Sequence, residues 1–308
     1  MKKDLLNLFD LDPSEFEDLF RLAGALKDLH RRGVPHHPLA GKMLGLIFDK
    51  SSTRTRLSFE AGMFQLGGTA TFLSRKDIQL GRGETIADTA RVMSRFLDGV
   101  VIRTFGQEIV EEFARHAGIP VINGLTDLLH PCQILGDLFT IIEKRGTWRG
   151  IKVAYVGDGN NVANSWINAA ARLPFRLSLA CPGGYEPDRA ILERGMKASP
   201  EGVALLRDPG EAVREADVVY TDVWASMGQE EEAEARKTVF RAYQVNDALL
   251  SRAKEEVLVM HCLPAHRGEE ITGEVIDGPR SIVFDQAENR MHIQKAILET
   301  LLGGKPHE

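Results

Sequence analysis

Ser51-Ser52-Thr53-Arg54-Thr55-Arg56 sets hydroxyls beside permanently charged guanidiniums within six residues. Side chains of this kind hold an anion, and a phosphate in particular, because guanidinium groups offer paired donors that stay charged at any working pH. The run before it, Lys42-Met43-Leu44-Gly45-Leu46-Ile47-Phe48, is apolar and of strand length. After it Leu57, Ala61 and Phe64 recur at helical spacing, widened by Met63 and Leu66, until Gly67-Gly68 ends the pattern. A helix begun near Ser52 or Thr53 aims its first unpaired N–H groups and its positive dipole end at such an anion. The same residues also fit an ordinary helix cap followed by two solvated arginines, so the motif needs support from elsewhere in the chain.

That support comes from polar residues just past other strand-like runs. Arg103 closes Val100-Val101-Ile102, and His130-Pro131-Cys132-Gln133 opens a helical pattern. Farther along, Gly157-Asp158-Gly159-Asn160-Asn161, Asp222, His261-Cys262-Leu263-Pro264 and Arg290 occupy corresponding places. In open α/β sheets the carboxyl edge of the strands is where ligands bind. Gly157-x-Gly159 invites a dinucleotide reading, but Val162 stands at the third glycine position and no acidic residue ends the next strand. A tight turn carrying the amides of Asn160 and Asn161 is the simpler reading. His261, Cys262 and His266 have ligand chemistry for zinc but no second ligand pair at a recognised spacing. Cys262 also fits a buried strand-end thiol, Asp222 a turn cap, and His130 a helix-entry residue before proline.

The elements that must position these residues alternate between short β-rich runs and helical patterns, which predicts parallel sheets covered by helices. The strands fall at 43–48, 69–73, 99–103 and 119–122, then at 152–156, 177–181, 203–206, 218–221, 257–260 and 282–284. A helical pattern from Ile134 to Lys144 ends at Arg145-Gly146. The predicted fold class is therefore α/β with two domains, 1–145 and 146–285, each a parallel sheet flanked by helices, with the active site in the interdomain cleft. A last amphipathic helix within 286–308 is expected to pack back onto the first domain. At 308 residues there is chain enough for two cores.

Composition narrows the partners. A formal net charge of -6 offers no basic surface for nucleic acid, so the arginines suit a small anion. No apolar run approaches the ~20 residues of a membrane span, and Met1-Lys2-Lys3-Asp4 leads into an acidic amphipathic pattern rather than a signal sequence. Three cysteines, Cys132, Cys181 and Cys262, argue against a disulfide framework and fit a reducing, cytoplasmic setting.

Taken in order, these motifs resemble the transcarbamoylase family over nearly the whole chain. The resemblance rests on Leu5-x-x-Phe9-Asp10-Leu11, Ser52-Thr53-Arg54-Thr55-Arg56, Leu80-Gly81-Arg82-Gly83-Glu84-Thr85-Ile86-x-Asp88-Thr89, His130-Pro131-Cys132-Gln133-x-Leu135-x-Asp137, Asp222-Val223-Trp224-x-Ser226-Met227-Gly228 and His261-Cys262-Leu263-Pro264-Ala265-His266-Arg267-Gly268. It implies transfer of a carbamoyl group from carbamoyl phosphate to an amine; no cofactor and no metal are expected for that reaction. Cys262 and the Ser226-Met227-Gly228 loop are similar to the ornithine-specific pattern. Aspartate-specific members typically carry proline in place of Cys262, and putrescine- and acetylornithine-specific members depart at the Ser-Met-Gly loop. Ser51 stands where many members carry proline, a difference of loop stiffness.

The resemblance also assigns roles. Ser52, Thr53, Arg54, Thr55 and Arg103 are implied to hold the phosphate, with Gln79 supplied by a neighbouring subunit of a homotrimer. Arg54 and His130 are implied to polarise the carbonyl oxygen, Gln133 and the Leu263 carbonyl to orient the carbamoyl amide, and Arg290 and Cys262 to reach the same ligand. Asn161, Ser226, Met227 and Asp222 are implied to bind L-ornithine. The catalytic set is then Arg54, Arg103, His130, Asp222 and Cys262, with either a Cys262 thiolate or the leaving phosphate taking the amine proton.

Overall fold

The computed structural model describes residues 4–74, 83–225 and 233–303. By contacts the chain divides into two compact units, Met1–Phe139 with Glu288–Glu308, and Thr140–Ala287. In the first unit α1 (Pro13–Arg31) is followed by β1 (Met43–Phe48), α2 (Thr53–Gln65), β2 (Thr69–Ser74), α3 (Ile86–Met93), β3 (Gly99–Arg103), α4 (Gln107–His116), β4 (Val121–Leu125) and the start of α5 (Pro131–Arg145). The strands form one parallel sheet in the order β2-β1-β3-β4. Its strands bury apolar side chains on both faces, as parallel sheets must: Leu44, Leu46, Val100, Val101, Val121 and Ile122 are fully enclosed. Each such side chain contributes roughly 1.5–3 kcal/mol relative to an exposed one.

The second unit contains β5 (Lys152–Val156), α6 (Asn161–Ala170), β6 (Arg176–Ala180), α7 (Arg189–Ala198), β7 (Val203–Leu206), α8 (Pro209–Val213), β8 (Val218–Thr221), α9 (Ala233–Phe240), α10 (Asp247–Leu250), β9 (Leu258–His261), α11 (Gly273–Ile276) and the start of α12 (Val283–Leu302). Its five-stranded parallel sheet runs β7-β6-β5-β8-β9. Val156, Val219, Val259 and Phe240 sit at the centre of its core. Along the chain, the division between units falls inside α5 and inside α12.

In each sheet the strand order reverses once beside the first strand of the unit. β1 has β2 on one side and β3 on the other, and β5 likewise has β6 and β8. A reversal leaves helices departing to opposite faces, and a crevice opens at the carboxyl ends between them.

Beyond one-residue differences at the ends of β2, β6 and β9, the structure departs from the expected strands in two places. Residues 282–284 are not a strand. Ser281 makes one parallel bridge to Val259, and Ile282 N bonds Val259 O, but Gln286 N already returns to Ile282 O as the opening of α12. Ile282 and Val283 are buried while Phe284 is 70% exposed, a pattern that a helix entry produces and a buried strand does not. The fourth strand begins at Val121 rather than Ile119 and runs through Asn123-Gly124, a pair that reads as a turn. Asn123 is tolerated there because its side-chain amide donates to Leu6 O at 3.1 Å and to Gln107 Oε1 at 3.1 Å.

Candidate active site

In the first unit, Phe48 pairs with Arg103 across β1 and β3, so the loop after β1 and the end of β3 lie side by side at the strand-order reversal. Two bonds hold these ends together: Asp49 N donates to Arg103 O at 2.8 Å, and Thr104 Oγ1 donates to Asp49 Oδ2 at 2.6 Å. Ser52 caps α2, its hydroxyl accepting from Thr55 N at 3.2 Å. Thr53 and Arg54 thereby enter the first turn, where backbone N–H groups and the helix dipole favour an anion. Thr55 is buried, and its hydroxyl accepts from an Arg290 guanidinium nitrogen at 2.7 Å. Arg290 lies 235 residues away in sequence, so α12 closes this site from the far end of the chain.

Arg56 turns elsewhere. Its Nε donates to Glu60 at 2.9 Å and its guanidinium lies 3.8 Å over the Phe72 ring, which makes it a brace between α2 and β2. Lys50, a buried ammonium at the end of β1, pairs with Asp127 and sits 4.4 Å over Phe105. No motif pointed to it, although a charged residue directly before the hydroxyl run was a readable signal.

His130 enters from the loop between β4 and α5. Thr126 shapes that loop: its hydroxyl donates to Gln107 Oε1 at 2.9 Å and accepts from Leu129 N at 3.0 Å. His130 is buried, and that burial, followed by the charges of Arg290 and Arg103, holds its imidazole well below the usual histidine range. It is therefore neutral at neutral pH, a hydrogen-bond donor rather than a cation. One turn on, Gln133 donates from Nε2 to Asp137 at 2.8 Å. Because a carboxylate only accepts, this bond orients the amide and leaves Oε1 as the unused acceptor. That buried Oε1 has no hydrogen-bond partner among the described residues. Cys132, between them, is a packing group: burial pushes its thiol up to about 12, and its sulfur contacts Asn123 O at 3.4 Å.

In the second unit the register places Val156 opposite Thr221 and Thr221 opposite His261, so the residues that follow β8 and β9 are neighbours. Cys262 Sγ donates to Asp222 Oδ1 at 2.8 Å. The other oxygen of Asp222 accepts from Asn160 Nδ2 at 2.7 Å, and Oδ1 also takes Val223 N at 2.8 Å. Asn160 is itself fixed, since its Oδ1 caps α6 at Val162 N and Ala163 N and accepts from Tyr155 OH at 3.1 Å. Asn161 is the first residue of α6. The turn before it requires glycine: Gly157 has φ +139, and a Cβ at Gly159 meets the Glu186 carbonyl carbon at 2.2 Å.

Past β9 the chain turns sharply. Leu263 adopts φ 57, the left-handed region that a branched side chain rarely occupies, before a cis bond to Pro264. Leu263 N donates to His261 Nδ1 at 2.9 Å, which leaves His261 Nε2 as the donor to Glu270 at 3.1 Å. Arg236, from α9, is buried and joins the two ligand-bearing turns, with Asp158 at 3.2 Å and Trp224 O at 2.9 Å. Arg236 and Glu270 escape sequence reasoning because each acts through a partner brought close by folding, as does the bond from Asn160 to Asp222.

The first unit thus brings Ser52, Thr53, Arg54, Thr55, Arg103, His130, Gln133 and Arg290 to one sheet edge, and the second brings Asn161, Asp222, Cys262 and Leu263 to another. Gln79, Ser226 and Met227 lie outside the described residues. Ligand atoms of Asp222, His261 and Cys262 fall within 4.8 Å of one another, but the Cys262 to Asp222 bond already joins two of them. No described helix is long and apolar enough to cross a membrane.

Residues 3–143 match the model of the aspartate/ornithine carbamoyltransferase carbamoyl-P binding domain, and residues 149–301 match that of the Asp/Orn binding domain. The ornithine carbamoyltransferase of Syntrophus aciditrophicus is 69% identical over 302 residues, which is 98% of this chain and 100% of that protein. The anabolic ornithine carbamoyltransferase of Pseudomonas aeruginosa is 57% identical over 97% of each. The solved structure of ornithine carbamoyltransferase from Pyrococcus furiosus superposes with a TM-score of 0.95 at 52% identity, covering 98% of this chain and 97% of that one. A cation-lined sheet edge in one half, a carboxylate–thiol pair in the other, and matches of this extent across both make the chain a member of the aspartate/ornithine carbamoyltransferase family.

Proposed function

We propose that this enzyme transfers the carbamoyl group of carbamoyl phosphate to the δ-amine of L-ornithine, giving L-citrulline and phosphate. The observation that carries the choice of acceptor is the Cys262–Asp222 pair at the ends of β9 and β8. A carboxylate beside a thiol suits a cationic or amine group, whereas an aspartate acceptor calls for cations there.

In this reading residues 1–145 with 286–308 form the carbamoyl phosphate-binding domain and 146–285 the ornithine-binding domain. Ser52, Thr53, Arg54, Thr55 and Arg103 hold the phosphate and offset its charge as it leaves. Arg54 and His130 donate to the carbonyl oxygen, a role that the neutral imidazole of His130 supports. Gln133 Oε1 and the Leu263 carbonyl accept from the carbamoyl NH2, and Arg290, held by its bond to Thr55, reaches the same ligand.

The δ-amine has an intrinsic pKa of about 10.4 and reacts only when neutral. Desolvation beside Asp222 and Cys262 favours loss of its proton. Its lone pair then forms the N–C bond, a tetrahedral intermediate collapses, the C–O bond to phosphate breaks, and the amine proton leaves to the departing phosphate or to Cys262 in its thiolate form, the thiol proton having passed to Asp222. Asn161, Ser226 and Met227 hold the α-amino and α-carboxylate ends. No covalent enzyme intermediate is required, because positioning two substrates supplies a large part of the barrier reduction. We further propose a homotrimer in which Gln79 of a neighbouring subunit completes the phosphate site, and a cytoplasmic location.

The test compares citrulline formation with carbamoylaspartate and carbamoylputrescine formation under matched conditions. Citrulline as the dominant product supports the assignment, and preference for either other amine overturns it.

A further inference from the structure

The second unit holds a cluster of ligand-type side chains that the transfer reaction does not use. His266, Glu269 and Glu270 follow the Leu263–Pro264 turn, and one ligand atom from each lies within 4.8 Å of the other two. His266 Nδ1 stands 3.9 Å from Glu269 Oε2 and 4.0 Å from Glu270 Oε2. Glu270 is completely buried, yet only one of its oxygens is used. Oε1 accepts from His261 Nε2 at 3.1 Å and from His266 N at 2.6 Å, while Oε2 is buried with no hydrogen-bond partner among the described residues. An unmatched buried carboxylate oxygen is costly, and it calls for a counterpart.

The His266 imidazole is not that counterpart as it stands, since 4.0 Å exceeds hydrogen-bond distance. It is a suitable separation for two ligands of one ion. Metal–nitrogen and metal–oxygen bonds of about 2.0–2.2 Å bring such atoms to roughly 3.4 Å in tetrahedral geometry, about half an ångström closer than His266 Nδ1 stands to either carboxylate. The half-exposed His266 side chain has room to close that gap. Glu269 keeps Oε2 available because Lys237 pairs with its other oxygen at 3.1 Å, and that ammonium offsets part of the negative charge without blocking the ligand face.

We propose that His266, Glu269 and Glu270 form a binding site for a divalent transition-metal ion of the zinc class. One imidazole with two carboxylates and an open outer position suits zinc or cobalt better than magnesium or calcium, which favour oxygen-only shells. The site is distinct from the Asp222, His261 and Cys262 group, because its ligand atoms are not bonded to one another. It is nevertheless linked to that group: Glu270 binds the ion through Oε2 and carries His261, the neighbour of Cys262, through Oε1.

The test is calorimetric titration of Zn2+ into full-length Cys262→Ser protein, which removes the competing thiol, and into the same protein carrying His266→Ala or Glu269→Gln. Both added substitutions are at partly exposed side chains, and an unchanged melting temperature verifies folding. The expected result is saturable binding of one ion in Cys262→Ser protein, weakened roughly tenfold or more by either added change, with a Co2+ absorption spectrum of nitrogen and oxygen ligation. Absence of saturable binding, or unaltered affinity in either double variant, overturns the proposal.

Discussion

The two units solve the same topological problem with opposite chemistry. Each is a parallel sheet whose strand order reverses beside its first strand, and each follows that strand with a side-chain-capped helix, Ser52 for α2 and Asn160 for α6. At the first reversal the side chains are Arg54, Arg103 and Arg290, fixed charges that no accessible pH removes. At the second they are Asp222, Cys262 and Asn160, bonded to one another through a carboxylate. A phosphate is anionic under all working conditions and needs a permanent counter-charge, whereas an amine must be received as a cation and used as a neutral nucleophile. On the proposed function, that difference puts binding strength in the first unit and pH dependence of the chemistry in the second.

Removing a fixed charge tests the first half of that contrast most severely. Arg54→Ala is expected to lower kcat by about a hundredfold to a thousandfold, as loss of a transition-state charge donor does, and to weaken carbamoyl phosphate in a binding titration. Unchanged affinity for carbamoyl phosphate strips Arg54 of its phosphate role. The loss should be of similar size across the pH range, because a guanidinium keeps its charge throughout it.

Cations and burial also act on the first unit's histidines. Burial and the charges of Lys295 and Lys27 lower His292 to about 4, against partial support from Glu288 at 3.3 Å, with the His30 ring 5.8 Å away. A depressed histidine is neutral in the fold and protonated in the unfolded chain once pH drops below about 6.5. The unfolded state then binds the extra proton, so stability falls as pH falls from about 6.5 to about 4, at up to about 1.4 kcal/mol per pH unit for this site. His130 contributes in the same direction. Chemical denaturation of wild type and His292→Gln across this range should show a shallower slope in the variant. Parallel slopes would remove His292 from the acid response.

The second unit should reveal itself through ornithine and pH rather than through carbamoyl phosphate. Cys262→Ser is expected to raise KM for ornithine by about tenfold, the worth of one hydrogen bond to a charged group, and to displace the pH–rate profile. An unaltered profile together with unaltered ornithine KM takes Cys262 out of the mechanism.

What sequence could reveal of this contrast depended on how local each piece is. Strand, polar turn and capped helix succeed one another within about 20 residues at Met43 to Gln65 and again at Lys152 to Ala170, so the first strand of each sheet and its turn were readable. The neutrality of His130 was not, because it arises from Arg290, which arrives on the last helix, and from Arg103. Gln107, which holds both Asn123 and Thr126, and Glu270, which holds His261, carried no sequence signal either, since their partners reach them through the fold. Residues 282–284 misled for the opposite reason: three apolar residues carry no period, and only the return of Gln286 N to Ile282 O declares a helix.

The smallest expected effect discriminates within the motif itself. Arg54 and Arg56 are two residues apart and chemically identical, so composition cannot separate them. Helical geometry does, since side chains two apart on a helix do not face the same way. Arg56 bonds Glu60 and covers Phe72, a partly exposed ion pair joined to a ring contact. Exposed pairs are worth about 0–1 kcal/mol and ring contacts of this kind about 0.5–1 kcal/mol. Arg56→Ala should therefore cost about 1 kcal/mol of stability in chemical denaturation and change kcat by less than about threefold, a small fraction of the Arg54 effect. A kcat loss comparable to that of Arg54→Ala would make Arg56 a ligand and extend the cation cradle along the helix, against the geometry of the braced guanidinium.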